Sequence, residues 1–174
     1  MHKDPAQVIE DKRLLALYRY WDSKRGDQTL PARANIDPAD IPSLLSIVIL
    51  VDISAAGEYR YRLVGTEIVR WLGRDITDQT FSEALPSGPY SDFITSLVRD
   101  AASAGRPLYS EGAFIIEGRI DRQVRRLVLP LSADGSTVNM ALCGQTIVVA
   151  TKGALKTSLT REPPFTERHR EFLD

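Results

Sequence analysis

The last third of the chain contains three consecutive strand patterns that are joined by short turns. Residues 108–117 and 124–131 flank a turn over 118–121, and residues 138–149 follow Asp134-Gly135-Ser136. Asp-Gly is a strong hairpin signal, because both residues tolerate the backbone angles of a tight turn. Strands joined this closely pair in the antiparallel sense, since parallel neighbours need a crossover of a dozen or more residues. The chain therefore contains an antiparallel sheet.

An earlier hairpin pattern adds two strands. Residues 47–53 are apolar and mostly β-branched, and residues 59–64 alternate between large apolar residues and arginine. The side chains expected on the buried side of the second segment are Tyr59, Tyr61 and Leu63. Asp52 interrupts the apolar strand, and we expect it to pair with Arg60 or Arg62 across the hairpin. The predicted sheet therefore has five strands.

Helix patterns separate the two groups of strands. Residues 90–104 predict a helix, because apolar residues recur at the spacing of one helical face and Gly105 follows as a stop signal. Residues 66–72 predict two helical turns that end at Gly73. The expected fold class is α+β, a five-stranded antiparallel sheet with helices packed on one face.

An amphipathic N-terminal helix is predicted over residues 5–24. One face of this helix carries four apolar residues at the spacing i, i+3, i+4 and i+7, namely Leu14, Leu17, Tyr18 and Trp21. This face can pack on its own domain or bury itself against a second copy, and we take it as a candidate dimer or partner face. The expected organisation is an N-terminal helical cap (1–28), a central domain (29–150) and a polar, partly mobile tail (151–174).

Composition and motifs argue against several function classes. A formal net charge of −1 gives no electrostatic reason to expect nucleic acid or an anionic membrane as partner. The longest apolar run, 47–51, is far shorter than the roughly 20 residues of a membrane-spanning helix, and the charged N-terminus lacks the apolar core of a signal peptide. We therefore expect a cytoplasmic protein. No phosphate loop, nucleophile motif or metal-binding spacing appears, so neither an enzyme nor a metal site is predicted.

The densest positive cluster lies near the turn at residues 118–121. Its members are Arg119, Arg122, Arg125 and Arg126. A cluster at a hairpin tip favours a solvated loop, with a contact to an anion or an acidic partner as the alternative. Nucleic acid is less favoured, because aromatic residues are not interleaved with the arginines.

A ligand pocket, if present, lies between the sheet and the helices. The inward side chains expected to line it are Tyr61, Leu63, Phe93, Leu97, Phe114, Ile116, Leu127 and Leu129. The same residues can equally form an ordinary core. Tyr61 is distinctive, because a buried phenol requires a hydrogen-bond partner that a ligand could provide.

Several short motifs extend the pattern of elements. They are Leu30-Pro31-Ala32-Arg33 with Ile36-Asp37-Pro38 and Ile41-Pro42, Tyr61-Arg62-Leu63-Val64-Gly65-Thr66, Leu72-Gly73-Arg74-Asp75, and Arg126-Leu127-Val128-Leu129-Pro130-Leu131-Ser132 before Asp134-Gly135. Together with the element order, they resemble a family of stand-alone PAS-domain proteins from proteobacteria, over about residues 14–149. The resemblance implies a PAS fold and a sensory or regulatory role in signal transduction. We expect a homodimer that binds an unidentified small molecule, a protein, or both, with output through a separate signalling protein.

The resemblance also bears on cofactors. Haem-binding PAS sensors generally hold iron through a histidine on the long helix, and flavin-adduct sensors use a cysteine in the helical region. Residues 90–104 contain no histidine, and the single cysteine, Cys143, falls in the last predicted strand, where we expect a buried apolar filler. No cofactor is predicted. The alternatives are a ligand-free interaction adaptor, and a small enzyme or carrier that uses the concave face of the sheet.

Overall fold

One antiparallel sheet of six strands organises the computed structural model, which describes residues 4–116, 119–149 and 164–173. The strands are β1 (Val48–Ile53), β2 (Tyr59–Val64), β3 (Leu108–Ile116), β4 (Arg119–Ser132), β5 (Val138–Val149) and β6 (Phe165–Phe172). Their order in the sheet is β2-β1-β5-β4-β3-β6. The helices are α1 (Pro5–Val8), α2 (Lys12–Arg25), α3 (Thr66–Leu72), α4 (Phe81–Ala84) and α5 (Pro89–Ala104). No helix in the described ranges is both long and apolar enough to cross a bilayer.

Helices cover both faces of the sheet. Alternation along the strands sorts the core into two clusters, so that Val48 and Leu50 of β1 belong to one cluster while Ile49 and Val51 belong to the other. We call the face under α1 and α2 the cap face, and the face under α3, α4 and α5 the inner face. The α+β class and the five predicted strands are confirmed, and the N-terminal helix closes the face that the other helices leave open.

The cap face holds the N-terminal helix firmly on its own domain. Leu14, Leu17, Tyr18 and Trp21 are all at most 6% exposed. The Trp21 indole Nε1 also donates a hydrogen bond to the Pro130 carbonyl oxygen of β4, at 2.9 Å. The prediction that these four side chains form a dimer or partner face is therefore wrong, because the chain's own sheet already covers them.

The predicted single helix over residues 5–24 is divided in two. The chain leaves helical geometry at Ile9, whose side chain is buried in the cap-face core. Asp11 then begins α2 as its N-cap, and its carboxylate accepts hydrogen bonds from the backbone amides of Arg13 and Leu14. The four apolar residues that predict the helix all lie within α2, so their spacing carries no information on residues 5–11.

The sixth strand was not predicted. It falls in the segment expected to be a polar tail (151–174), of which residues 151–163 and 174 lie outside the described part of the chain. Phe165–Phe172 pairs with β3 and forms an edge of the sheet. Its charged side chains are typical of edge strands, because they oppose pairing with further chains. Arg170 ties β6 to α5 through an ion pair with Asp100, at 2.7 Å.

A β-bulge shifts the alternation of β2. Leu63 lies opposite Leu50, but Tyr61 lies opposite the next residue, Val51, so Arg62 is an extra residue in the strand. Tyr61 consequently faces inward while Leu63 is 39% exposed. The prediction that both line a pocket was wrong for Leu63. The expected cross-strand pair forms between Arg62 and Asp52, at 3.3 Å.

The buried position of Trp21 leads to a stability prediction. We expect Trp21→Ala to lower the free energy of unfolding by about 3–5 kcal/mol, because it leaves a cavity in the cap-face core. Urea denaturation measures this change. Arg19→Ala, at an exposed position of the same helix, is the control and should change stability by less than about 0.5 kcal/mol. Equal stability of the two variants would show that α2 does not depend on its own sheet.

The contact between β3 and β6 leads to a second prediction. A Cβ atom on Gly112 would lie 2.1 Å from the Phe165 ring and 2.9 Å from the Thr166 carbonyl oxygen. Gly112→Ala should therefore displace β6 and cost about 1–3 kcal/mol, with faster amide hydrogen exchange in β6 than in wild type. Adding Phe165→Ala should restore part of the protection, because it makes room for the methyl group. Unchanged exchange in β6 would contradict this packing.

Candidate functional site

A small cavity lies between the inner face of the sheet and the helices that cover it. Its volume is about 60 Å³. Most of its lining is apolar and comes from β1, β4, α3 and α5, with Val51, Val128, Ile68 and Leu97 as examples. Ligand sites for drug-sized molecules usually measure about 300–1,000 Å³. A cavity this small accommodates only a few non-hydrogen atoms.

The predicted pocket residues are only partly gathered here. Tyr61, Leu97 and Leu127 line the cavity. Phe93 and Phe114 pack in the inner-face core but do not line the cavity. Leu63 is exposed and Leu129 lies in the cap-face core, so neither lines the cavity. The side chain of Ile116 lies outside the described part of the structure.

The prediction for β4 assigned the wrong set of alternating residues to the inner face. Leu127 and Leu129 both belong to the cap-face core, although Leu127 also borders the cavity. The residues of β4 that face inward are Val124, Arg126 and Val128. The alternation of β4 predicts leucine inside and arginine outside, which holds for a sheet with one solvated face. Because both faces of this sheet are covered, the arginine points into the protein.

Arg126 is the principal polar residue of the cavity. Its side chain is only 5% exposed. The guanidinium Nε donates a hydrogen bond to Gln145 Oε1 of β5 at 3.0 Å, and Nη2 donates to the Tyr90 hydroxyl of α5 at 2.9 Å. The third nitrogen, Nη1, is buried without a hydrogen-bond partner. A buried donor without an acceptor is costly, and it marks a position where a further acceptor would be stabilised.

Three aromatic rings surround the guanidinium. The Arg126 Cζ atom lies 5.1 Å from the ring centroid of Phe165, 5.5 Å from that of Phe93 and 5.8 Å from that of Tyr90. Cation–π contacts of this kind stabilise a desolvated guanidinium by about 2 kcal/mol or more. They reduce the cost of burying the charge but do not neutralise it.

The other described arginines of the basic cluster have acidic partners. Arg122 lies 3.1 Å from the Asp121 carboxylate. Arg125 points to the cap side of β4 and pairs with Glu10 and Glu111. Within the described ranges, Arg126 forms no ion pair with a carboxylate. The Arg119 side chain lies outside those ranges.

The predicted solvated loop is therefore wrong for part of the basic cluster. Arg122 and Arg126 are both buried side chains of β4. They lie in the strand itself, not at an open hairpin tip. The sequence signal that could have placed them is their spacing, because residues two or four apart along a strand share one face, here the face of Val124 and Val128.

Tyr61 supplies a second hydrogen-bonding group to the cavity wall. Its ring stacks on Phe81 of α4, with 4.5 Å between the centroids. Burial raises the pKa of the Tyr61 phenol, so the hydroxyl stays protonated and can donate. No hydrogen bond to this hydroxyl is formed within the described part of the chain. Two donors with free capacity, on Arg126 and Tyr61, therefore line the same cavity.

The sixth strand contributes to this region through Phe165. Its ring lies 4.6 Å from the Phe93 ring and 5.3 Å from the Tyr90 ring, measured between centroids, and covers the outer side of Arg126. Phe165 is not among the predicted site residues, because the charged segment around it indicates a polar tail. The isolated aromatic residue after Pro163-Pro164 was the available signal.

Cys143 also lines the cavity, and its thiol is held in the unreactive form. Burial raises the pKa of the Cys143 thiol to about 12. The thiolate is the nucleophilic form of cysteine, and its population is very small at this pKa. The side chain therefore acts as the small apolar filler that the sequence suggested.

Native thiol labelling tests the state of Cys143. We expect iodoacetamide to modify the folded protein at least about 100-fold more slowly than the protein unfolded in guanidinium, because burial disfavours the thiolate and blocks access. Mass spectrometry of timed samples gives both rates, and the unfolded sample is the control for reagent activity. Comparable rates in the two states would place the thiol in contact with solvent.

Comparison with known proteins agrees with this architecture. A family model described as a PAS domain matches residues 9–144, which include α2, all three helices over the inner face, β1 to β4 and part of β5. No curated protein matches the chain. The family match covers most of the sequence and ends before β6, which is therefore an addition to the matched region. The chain belongs to the PAS domain family.

Proposed function

We propose that this protein is a sensory module that binds a small molecule in the inner-face cavity and signals through a separate protein. PAS domains are generally sensory or ligand-binding modules. The observation that carries the proposal is that Arg126, whose Nη1 donor is buried without a hydrogen-bond partner, lines a mostly apolar cavity. Few apolar cores contain an unneutralised guanidinium, because removing a charge from water is costly unless a partner compensates for it.

The surroundings of Arg126 offer a route for transmitting ligand occupancy. Its hydrogen bonds join β4 to β5 through Gln145 and to α5 through Tyr90. Phe165 brings β6 into the same group, and Arg170 connects β6 back to α5 through Asp100. A ligand that changes the position of the guanidinium would shift α5 and β6 relative to each other. In this proposal, that shift is what a partner protein detects.

In this proposal, the protein is a cytoplasmic homodimer that has no enzymatic activity and acts on a separate signalling protein. The four buried residues of α2 cannot provide the dimer contact in this arrangement. Apolar side chains with substantial exposure lie instead near both edges of the sheet and at the end of β5, and they are Leu63, Val148, Val149 and Phe172.

A ligand-free adaptor is the second candidate. The observation that favours it is the volume of the cavity, about 60 Å³, which is far below that of most small-molecule sites. In an adaptor, the hydrogen bonds and aromatic rings around Arg126 would serve only to hold β4, β5, β6 and α5 together. The two functions differ in whether a small molecule occupies the cavity.

Native mass spectrometry of the full chain, purified from its own source without denaturation, separates the two functions. We expect a bound small molecule in the wild-type protein and a loss of at least about tenfold in its occupancy in Arg126→Met, since hydrogen bonds to charged groups contribute about 1.5–3 kcal/mol. Arg125→Met is the matched control, because it removes a guanidinium from the same strand on the opposite face.

The outcomes of this experiment decide between the candidates. A ligand retained in Arg125→Met but lost in Arg126→Met supports sensing. A clean apo mass for the wild-type protein, together with a melting temperature that no small metabolite changes, overturns sensing and supports the adaptor.

A further inference from the structure

We propose that the inner-face cavity selects a compact monocarboxylate, of the size of formate, acetate or propionate, through Arg126. The inference rests on the proposed sensory function and names the class of ligand for that same site. The carboxylate would bind the guanidinium, and its short apolar end would lie against the aliphatic wall of the cavity.

The donors of Arg126 fit a carboxylate. A guanidinium carries five N–H groups, of which one on Nε and one on Nη2 are used by Gln145 and Tyr90. The two N–H groups of Nη1 and the second one of Nη2 remain available. One hydrogen from each of these nitrogens forms the planar fork that binds both oxygens of a carboxylate. Gln145 and Tyr90 hold the guanidinium plane in place, so little conformational entropy is lost on binding.

The positive charge of the site favours a ligand that carries a single negative charge. Arg126 forms no ion pair within the described ranges, and the groups that contact its guanidinium there are the Gln145 amide, the Tyr90 hydroxyl and the three aromatic rings. Arg122 and Arg170 lie on the same face of the sheet and already have acidic partners, Arg122 beside Asp121 and Arg170 beside Asp100 and Glu167. A monoanion would neutralise the site, whereas a dianion such as phosphate would bring an uncompensated charge into an apolar cavity.

The volume of the cavity limits the length of the ligand. An apolar cavity of about 150 Å³ holds benzene, which has six non-hydrogen atoms. The cavity here measures about 60 Å³ and has room for a proportionally smaller molecule. Ile94, Leu97 and Val128 provide apolar contacts for a methyl or ethyl group. The Tyr61 hydroxyl is a further donor in the same cavity, and it can bind a carboxylate oxygen.

Thermal denaturation of the full chain tests this inference, with acetate, formate and propionate as probes at constant ionic strength. We expect a saturable rise in melting temperature with these anions, because a ligand that binds only the native state stabilises it. Acetamide, which matches acetate in shape without its charge, should give no rise. Chloride and inorganic phosphate control for general salt effects. Hexanoate tests whether the cavity excludes a longer carboxylate.

Variants connect the effect to the proposed residues. Arg126→Met should weaken acetate binding by about 10- to 100-fold, as expected for a lost charged hydrogen bond, and Tyr61→Phe should weaken it less. Arg126→Lys keeps the charge but loses the planar fork, and it serves in place of Arg126→Met if that variant fails to fold. Arg125→Met should bind acetate like wild type, because its guanidinium lies on the cap side.

Three results would overturn the inference: no effect from any short carboxylate, equal effects from acetate and acetamide or chloride, or acetate binding that survives Arg126→Met. These results leave the sensory function itself testable. If native mass spectrometry shows a different bound molecule, the carboxylate inference fails while ligand sensing stands. If it shows none and no carboxylate binds, both fail.

Discussion

The covering of both faces of the sheet is the constraint on which the rest of this structure depends. The strands of an antiparallel sheet with one solvated face alternate between apolar and polar residues. Here α2 covers one face through Leu14, Leu17 and Trp21, and α3 to α5 cover the other. Every central strand is consequently buried on both sides. A charged residue in the covered part of such a strand has little solvent to face, and Arg126 is held inside the protein for this reason.

Compensation within the protein makes a buried guanidinium tolerable without a ligand. The effective cost of burying one ion is several kcal/mol. Two hydrogen bonds to a charged group contribute about 1.5–3 kcal/mol each, and cation–π contacts to a desolvated guanidinium contribute about 2 kcal/mol or more. These contributions are of the same size as the cost, so the fold can keep Arg126 in place. They leave the net charge and the Nη1 donor uncompensated, and only an anion would satisfy both.

Most elements could be predicted from the sequence, because local signals determine them. The turns at Gly57 and Gly135 and the periodicity of the strands and of α5 set five strands and the main helices close to their observed bounds, except that β4 begins at Arg119, five residues before its predicted start and within the predicted turn. The errors arose where a distant contact decides the structure. The direction in which Leu63 points depends on a bulge against β1, and the orientation of β4 depends on α2 covering the far side of the sheet. Neither is visible in a window of a few residues.

The candidate site was harder to predict than the fold for the same reason. Tyr61 and Leu97 were predicted as lining residues, because large apolar side chains in these elements usually face inward. Arg126 and Phe165 were missed, because arginine and a charged segment normally indicate solvent. Their roles follow from the pairing of β6 with β3, which joins residues more than 50 positions apart, such as Ser110 and Glu167.

The late position of β6 in the chain has a consequence for folding. During synthesis, Phe165 follows all five strands of the central sheet, so Arg126 lacks this cover until the sixth strand is made. Water can hydrate the guanidinium during that interval, and its desolvation is then coupled to the docking of β6. The pairing of β6 with β3 joins residues more than 50 positions apart, and contacts this distant in sequence form slowly compared with local hairpins. During synthesis, the interior charge is thus covered by Phe165 only after every other strand of the sheet has been made.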